Sequence, residues 1–200
     1  MLTRHLKGSG IGRQTAIAFA QAGAKKIVLI GRTESTLRET EGLLPESSSA
    51  SVFTSSVTDE AGMKKIAESV GAWDVLVLNA AHISSPAPIV KTSLQDYWSD
   101  YETNVKSVII AVQAFVPNAH SGAAVYAMTA GSLVLPANFT PTLSGYLTSK
   151  LAQVKIMEYL AVENPDLFVC SVHPGMVDTK IFRGSGASPD QLPMDTGMYF

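Results

Sequence analysis

The chain has 200 residues, 46% of them hydrophobic and only 16% charged, with a formal net charge of −2 and one cysteine. This size suits one domain with a sizeable core, and a charge fraction below the ~25% usual for soluble domains means that much of the chain must be buried. The near-neutral charge gives no reason to expect nucleic acid or an anionic membrane as partner, Cys170 alone excludes a disulfide framework or a cysteine-rich metal site, and no apolar run approaches the ~18 residues of a membrane span.

The first seven residues, Met1 to Lys7, have no apolar centre and do not read as a secretory signal, so a cytoplasmic protein is expected. Gly8-Ser9-Gly10-Ile11-Gly12 then leads into an apolar segment, predicting a helix over Ile11–Ala22. Glycines at such a junction let backbone approach a ligand closely, and the free N–H groups of the helix start suit an anion such as a pyrophosphate. The plain alternative is a flexible turn. The strand that should precede the loop is poorly provided for by Leu2-Thr3-Arg4-His5-Leu6-Lys7.

Further along, strands are predicted at Lys26–Ile30, Ala50–Ser55, Asp74–Leu78, Ala123–Met128 and Leu167–Val172. Helices are predicted at Glu34–Leu43, Glu60–Val70, Thr103–Val116 and Tyr146–Glu163, the second opened by capping residues Thr58 and Asp59. Several strands are apolar at consecutive positions, as in sheets covered on both faces. Alternating strands and helices predict a single α/β domain over residues 1–200, with a doubly wound parallel sheet. Cys170, inside Leu167–Val172, reads as a core filler, and residues 184–193 as a polar connection.

Arg32 follows the first predicted strand. An acidic residue there would hold a ribose 2′-hydroxyl, whereas an Arg suits the additional phosphate of NADP, so Arg32 is the expected cofactor discriminator. A solvent-exposed Arg at a strand end is the alternative. Tyr146 and Lys150 lie four apart where a helix begins, hence on one face. An ammonium held near a phenol favours the phenolate, and bringing a Tyr near neutrality takes roughly 4 kcal/mol of charge stabilisation. A tyrosine tuned in that way could pass a proton to or from a carbonyl or alcohol oxygen.

Five motifs occur in a telling order: Gly8-Ser-Gly-Ile-Gly12, Leu78-Asn-Ala-Ala81, Thr103-Asn104-Val105, Tyr146-x-x-x-Lys150, and His173-Pro-Gly-Met-Val-Asp-Thr179. In this order the chain resembles the short-chain dehydrogenase/reductase family, and the resemblance covers residues 8 to 180. It implies a Rossmann-like fold in which Gly10, Ile11 and Gly12 meet the cofactor phosphates and turn. Asn79 would support the cofactor-side loops, and Val177 and Thr179 would flank the nicotinamide carboxamide. Tyr146 would be the acid/base, Lys150 would bind the nicotinamide ribose and lower the Tyr pKa, and Asn104 would hold the water that links Lys150 to solvent. His173 would be a packing residue beside the Pro174-Gly175 turn, and no metal is implied.

The substrate-binding hydroxyl has two candidates, Ser132, favoured by its distance from Tyr146, and Thr129. The family pattern is departed from at His5-Leu6, at Ser56, and at Ala81, where glycine is usual. A first strand and a last helix and strand are expected to be reduced or missing. The reading implies an NADP(H)-dependent oxidoreductase, with NADP(H) favoured over NAD(H), interconverting a small apolar carbonyl compound and a secondary alcohol of the kind met in secondary metabolism. The alternative is a catalytically impaired relative acting as a binding or scaffold protein. Two helices richer in Ala, Val, Ile and Leu than one buried face requires, Val105–Val116 and Leu147–Leu160, resemble those that family members pair across a twofold axis, which implies a homodimer or homotetramer.

Overall fold

Five parallel strands and seven α-helices make up residues 10–187, the part of the chain that the computed structural model describes. The expectations for Leu2–Lys7 and for an edge after residue 187 lie outside the described residues. The strands are β1 (Lys26–Gly31), β2 (Ser49–Thr54), β3 (Trp73–Leu78), β4 (Ala119–Met128) and β5 (Phe168–Val172). The helices are α1 (Ile11–Gln21), α2 (Glu34–Glu41), α3 (Glu60–Val70), α4 (Leu94–Tyr101), α5 (Ser107–Phe115), α6 (Ser144–Glu163) and α7 (Lys180–Gly184).

Hydrogen bonding divides the strands into two groups, β1 with β2 and β3-β4-β5, rather than one continuous ladder. All three pairings are parallel, with Ile30 opposite Phe53, Leu78 opposite Ala127 and Met128 opposite Val172. Among the described residues no strand lies between β1 and β3, so each has one edge without a ladder partner. Side-chain packing bridges the two groups instead: Ile30 and Phe53 rest against the core cluster built on β4.

That core follows from strand alternation. Ala123, Val125 and Ala127 of β4 point to one side and are buried, meeting Val108, Ala111 and Phe115 of α5, Met63 and Ile66 of α3, and Met157 and Leu160 of α6. Burying a side chain such as Val125 contributes about 2 kcal/mol. Trp73 joins the cluster and satisfies its indole by donating to the Phe115 carbonyl at 2.8 Å. The polar start of β4, His120-Ser121-Gly122, concealed its first residues from the apolar pattern, which is why the predicted strand began four residues late.

Two helices escaped the sequence reading. Leu94–Tyr101 is rich in polar and aromatic residues, yet Ser93 caps it by accepting from the Asp96 N–H at 3.0 Å. It runs through a π-turn over Glu102–Lys106 into α5, so the predicted helix from Thr103 is the second half of a longer rod. Lys180–Gly184 is a single short turn capped by Thr179. Cys170 is only partly buried and is not the core filler expected.

Candidate active site

Parallel strands gather their carboxyl ends on one side of the sheet, and the residues following them form a common rim. Arg32 follows β1, Asn79 follows β3, Thr129 to Ser132 follow β4, and Val177 and Thr179 follow β5. The start of α1 abuts this rim. Gly10, its N-cap, has φ +78°, a left-handed conformation that disfavours a side chain, and a Cβ there would touch the Thr179 methyl at 3.6 Å. A Cβ at Gly12 would lie 2.7 Å from Asn79 Nδ2. The glycines therefore bring the first turn of α1, with Ile11, against the ends of β3 and of the β5 loop.

Among the described residues no side chain caps that helix start, and its first turn holds no acidic residue. Its N–H groups and the positive end of its dipole therefore remain available to an anion, which fits the diphosphate of a dinucleotide. Arg32 is exposed and makes no hydrogen bond or ion pair among the described residues, so its guanidinium can reach a phosphate. Arg13, by contrast, is committed to Glu39 and Thr40 and fastens α1 to α2.

On the other side of the rim, α6 presents Tyr146 and Lys150 from its first two turns. Lys150 is 1% exposed, and its Nζ donates to the Met128 carbonyl at 2.7 Å and to Gln153 Oε1 at 2.8 Å. This reach locks the start of α6 to the end of β4. Burial lowers the Lys150 pKa to about 8. Tyr146 contradicts the expectation of a lowered pKa: burial first, and then the negative charge of Asp100, push its phenol up to about 12. The ammonium does not counter this shift, being turned to the Met128 carbonyl and Gln153.

Asn104 sits in the π-turn between α4 and α5 and is completely buried. A turn of this kind often marks a functional position within a helix. Here the amide Nδ2 donates to the His82 carbonyl and to Ser149 Oγ, both at 2.9 Å, while Oδ1 accepts from the His82 N–H at 2.8 Å. Asn104 thus clamps the loop after β3 to α6 one residue before Lys150. Ser132 lies in a short 3-10 turn over Gly131–Val134, partly exposed, whereas the Thr129 hydroxyl is buried without a hydrogen-bond partner among the described residues. His173, exposed, covers Gly131 with its ring, where a Cβ would lie 2.5 Å away.

Three neighbours escaped the sequence reading. Gln153 holds the Lys150 ammonium, and its spacing of three along the helix was the available signal. Asp100 and His82 come from α4 and the loop after β3, and no short motif joins them. Two further segments meet near Tyr146: the Ala87 N–H donates to the Thr142 carbonyl at 3.1 Å, joining the loops that carry exposed Ile89, Val90, Val134, Leu135 and Phe139.

A parallel α/β sheet with a glycine-rich helix start and a Tyr-x-x-x-Lys helix on one rim defines a dinucleotide-binding architecture of the Rossmann type. The family model for short chain dehydrogenase matches residues 7–189, and the chain belongs to that family. It is 31% identical over 201 residues to the short chain dehydrogenase mpl6 of Monascus purpureus, which covers 94% of this chain. The chain spans 65% of the length of that relative. Among solved structures, a 3-ketoacyl-ACP reductase from Sinorhizobium meliloti 1021 is 27% identical, with a TM-score of 0.78 over 86% of this chain and 70% of that one. A short chain dehydrogenase from Salmonella enterica serovar Typhi, at 22% identity, shares the fold with a TM-score of 0.83 over 93% of this chain and 81% of that one.

Proposed function

We propose that this chain forms the catalytic core of an NADP(H)-dependent oxidoreductase that interconverts a carbonyl and a secondary alcohol on a small apolar molecule, of the hydrophobic kind handled in secondary metabolism. The observation that carries this reading is the tie from Lys150 to the Met128 carbonyl, which sets Tyr146 beside the strand-end rim that the glycine-rich start of α1 also adjoins. A bound nicotinamide would supply the hydride. Gly10, Ile11 and Gly12 would receive its diphosphate, Arg32 the 2′-phosphate, Asn79 would brace the adjoining loop, and Val177 and Thr179 would flank the carboxamide. In reduction, Ser132 would donate to the carbonyl oxygen, Tyr146 would protonate the developing alkoxide, and Lys150 with Asn104 would return the proton. The apolar loops around Ile89 and Leu135 support a hydrophobic substrate. A single cysteine is compatible with a cytoplasmic setting, and among the described residues no helix is long and apolar enough to cross a membrane. The test is NADPH consumption with a panel of apolar ketones. No turnover with any of them, in a folded protein that binds NADPH, would remove the reading.

Arg32→Ser should weaken NADPH binding about 10- to 100-fold while leaving NADH within a factor of about two, since a charge-assisted hydrogen bond contributes about 1.5–3 kcal/mol. Calorimetric titration of both cofactors decides it, and equal losses would remove Arg32 from the site.

A second copy of the chain is the proposed partner. Helix α6 buries Gln153, Met157 and Leu160, yet exposes Leu151, Tyr159 and Val162 on its other side, and α5 exposes Ile109. A helix apolar on both sides is a helix buried on both sides. Light scattering at micromolar concentration should give at least twice the chain mass, and Leu151→Glu should shift it towards the monomer. A monomeric wild type would refute the pairing.

A further inference from the structure

Gln153 is a buried amide on α6, set between the buried Lys150 and the apolar Met157 and Leu160 that follow on the same side of the helix. It is 1% exposed. Its Oε1 accepts from Lys150 Nζ at 2.8 Å, and among the described residues its side chain makes no other hydrogen bond. An ammonium can only donate, so the amide must turn its oxygen to the lysine and its Nε2 away. That Nε2 is buried without a partner among the described residues, a cost that a methionine or leucine would not carry. Filling space would be better served by an apolar side chain. What the amide adds is the bond to Lys150.

Lys150 Nζ has three N–H groups, and two are committed, one to the Met128 carbonyl at 2.7 Å and one to Gln153 Oε1. At a tetrahedral nitrogen those two bonds and the link to Cε leave a single direction for the third. A lysine head otherwise rotates freely on a flexible stem. Here it is braced from the end of β4 and from the next turn of α6. Ionisable groups on the elements packed against α6 are held elsewhere: Asp100 of α4 by His82 and Ser84, and Glu102 of the π-turn by Lys106. Tyr146 of α6, Tyr126 of β4 and Cys170 of β5 do not hydrogen-bond to Nζ. The buried ammonium therefore rests on two neutral oxygens, and a hydrogen bond to a charged form favours that form.

We propose that Gln153 is a positioning residue of this site: with the Met128 carbonyl it fixes the Lys150 ammonium in its charged form and leaves one aimed N–H for a bound cofactor and the proton path. The catalytic part of this inference rests on the oxidoreductase reading, whereas the hold on Lys150 does not. Burial already lowers the Lys150 pKa to about 8, and the amide oxygen opposes that fall.

Gln153→Met, of similar length but without the acceptor, is compared with Gln153→Glu, which returns an acceptor bearing a charge. The first readout needs no turnover: titration of the Lys150 ¹³Cε NMR signal, assigned by its loss in Lys150→Met. Gln153→Met should bring the midpoint down by about one pH unit, a tenfold change in the charged fraction, and Gln153→Glu should raise it. The second readout is urea unfolding at about pH 6 and about pH 10. At the higher pH the folded amine is neutral in wild type and Met variant alike. At the lower pH both carry the ammonium, and only the wild type gives it both acceptors. The unfolding constant of Gln153→Met relative to wild type should therefore be about tenfold larger at the lower pH. A loss of packing alone would act equally at both. In the enzyme, Gln153→Met should lower kcat for ketone reduction about tenfold, with KM for the ketone within about twofold. A shifted midpoint in a folded protein that reduces no ketone upholds the hold on Lys150 and rejects the enzyme reading. A shifted midpoint with wild-type kcat overturns the positioning role. An unmoved midpoint in folded Gln153→Met, or in Gln153→Glu should the Met variant not fold, overturns the inference.

Discussion

Tyr146→Phe should lower kcat for ketone reduction by about 10²- to 10⁴-fold, the range that a positioned general acid contributes, while changing NADPH affinity by no more than about twofold. In the proposed reaction the phenol is the proton donor, and the substitution removes one oxygen without altering the volume that α6 packs. Lys150, Gln153 and the Met128 carbonyl keep their hydrogen bonds, since none of them pairs with the phenol. Circular dichroism and the melting temperature should therefore stay close to the wild type. Steady-state kinetics beside calorimetric cofactor binding check the split. Unchanged turnover in Tyr146→Phe would end the assignment of this site.

Lys150→Met should remove most of the activity and alter the pH dependence of stability in a direction that can be worked out. Folding depresses the Lys150 pKa from the model-peptide value of 10.5 to about 8. Below pH 8 both folded and unfolded chains carry the ammonium, and the folded state bears the whole cost of burying it. Above about pH 8 the folded chain sheds this proton while the unfolded chain retains it, so wild-type stability climbs until about pH 10.5. The gain is on the order of 3 kcal/mol. Lys150→Met lacks this climb. The difference in unfolding free energy between the two proteins, from urea melts at pH 7.5 and 10, should therefore move in favour of the wild type. Tyr146 acts in the opposite sense between pH 10 and 12, because its raised pKa makes the unfolded chain ionise first, but it does so in both proteins. Parallel stability curves for wild type and variant would show that the ammonium is not desolvated. The low-pH cost is what a buried cation imposes on a fold, and it explains why Gln153 and the Met128 carbonyl are both held to it.

Much of the architecture was legible from local patterns. Helices α1, α2, α3 and α6 and strands β1, β2, β3 and β5 lie within a few residues of where local apolar runs and capping residues placed them. The polar helix Leu94–Tyr101 was not legible, since its stability comes from packing against α6 and from the Ser93 cap rather than from a clean apolar stripe. Glycine spacing suggested a close backbone approach at the start of α1, and the structure brings Gly10 to Thr179 and Gly12 to Asn79. Arg32 lies at the exposed end of β1, and Asn104 is turned onto the His82 backbone and Ser149.

The sequence by itself determined the family, the α/β class, and the placing of Tyr146 and Lys150 on one face of a helix start, because these depend on residues near one another along the chain. What it could not determine was the charge environment of that face. Spacing alone suggested an ammonium lowering the pKa of a phenol. The folded chain instead turns Lys150 to Met128 and Gln153 and brings Asp100, forty-six positions before Tyr146, against the backbone beside it. Electrostatic interaction depends on distance and burial in three dimensions, and both are set only when α4, the loop after β3 and α6 pack together.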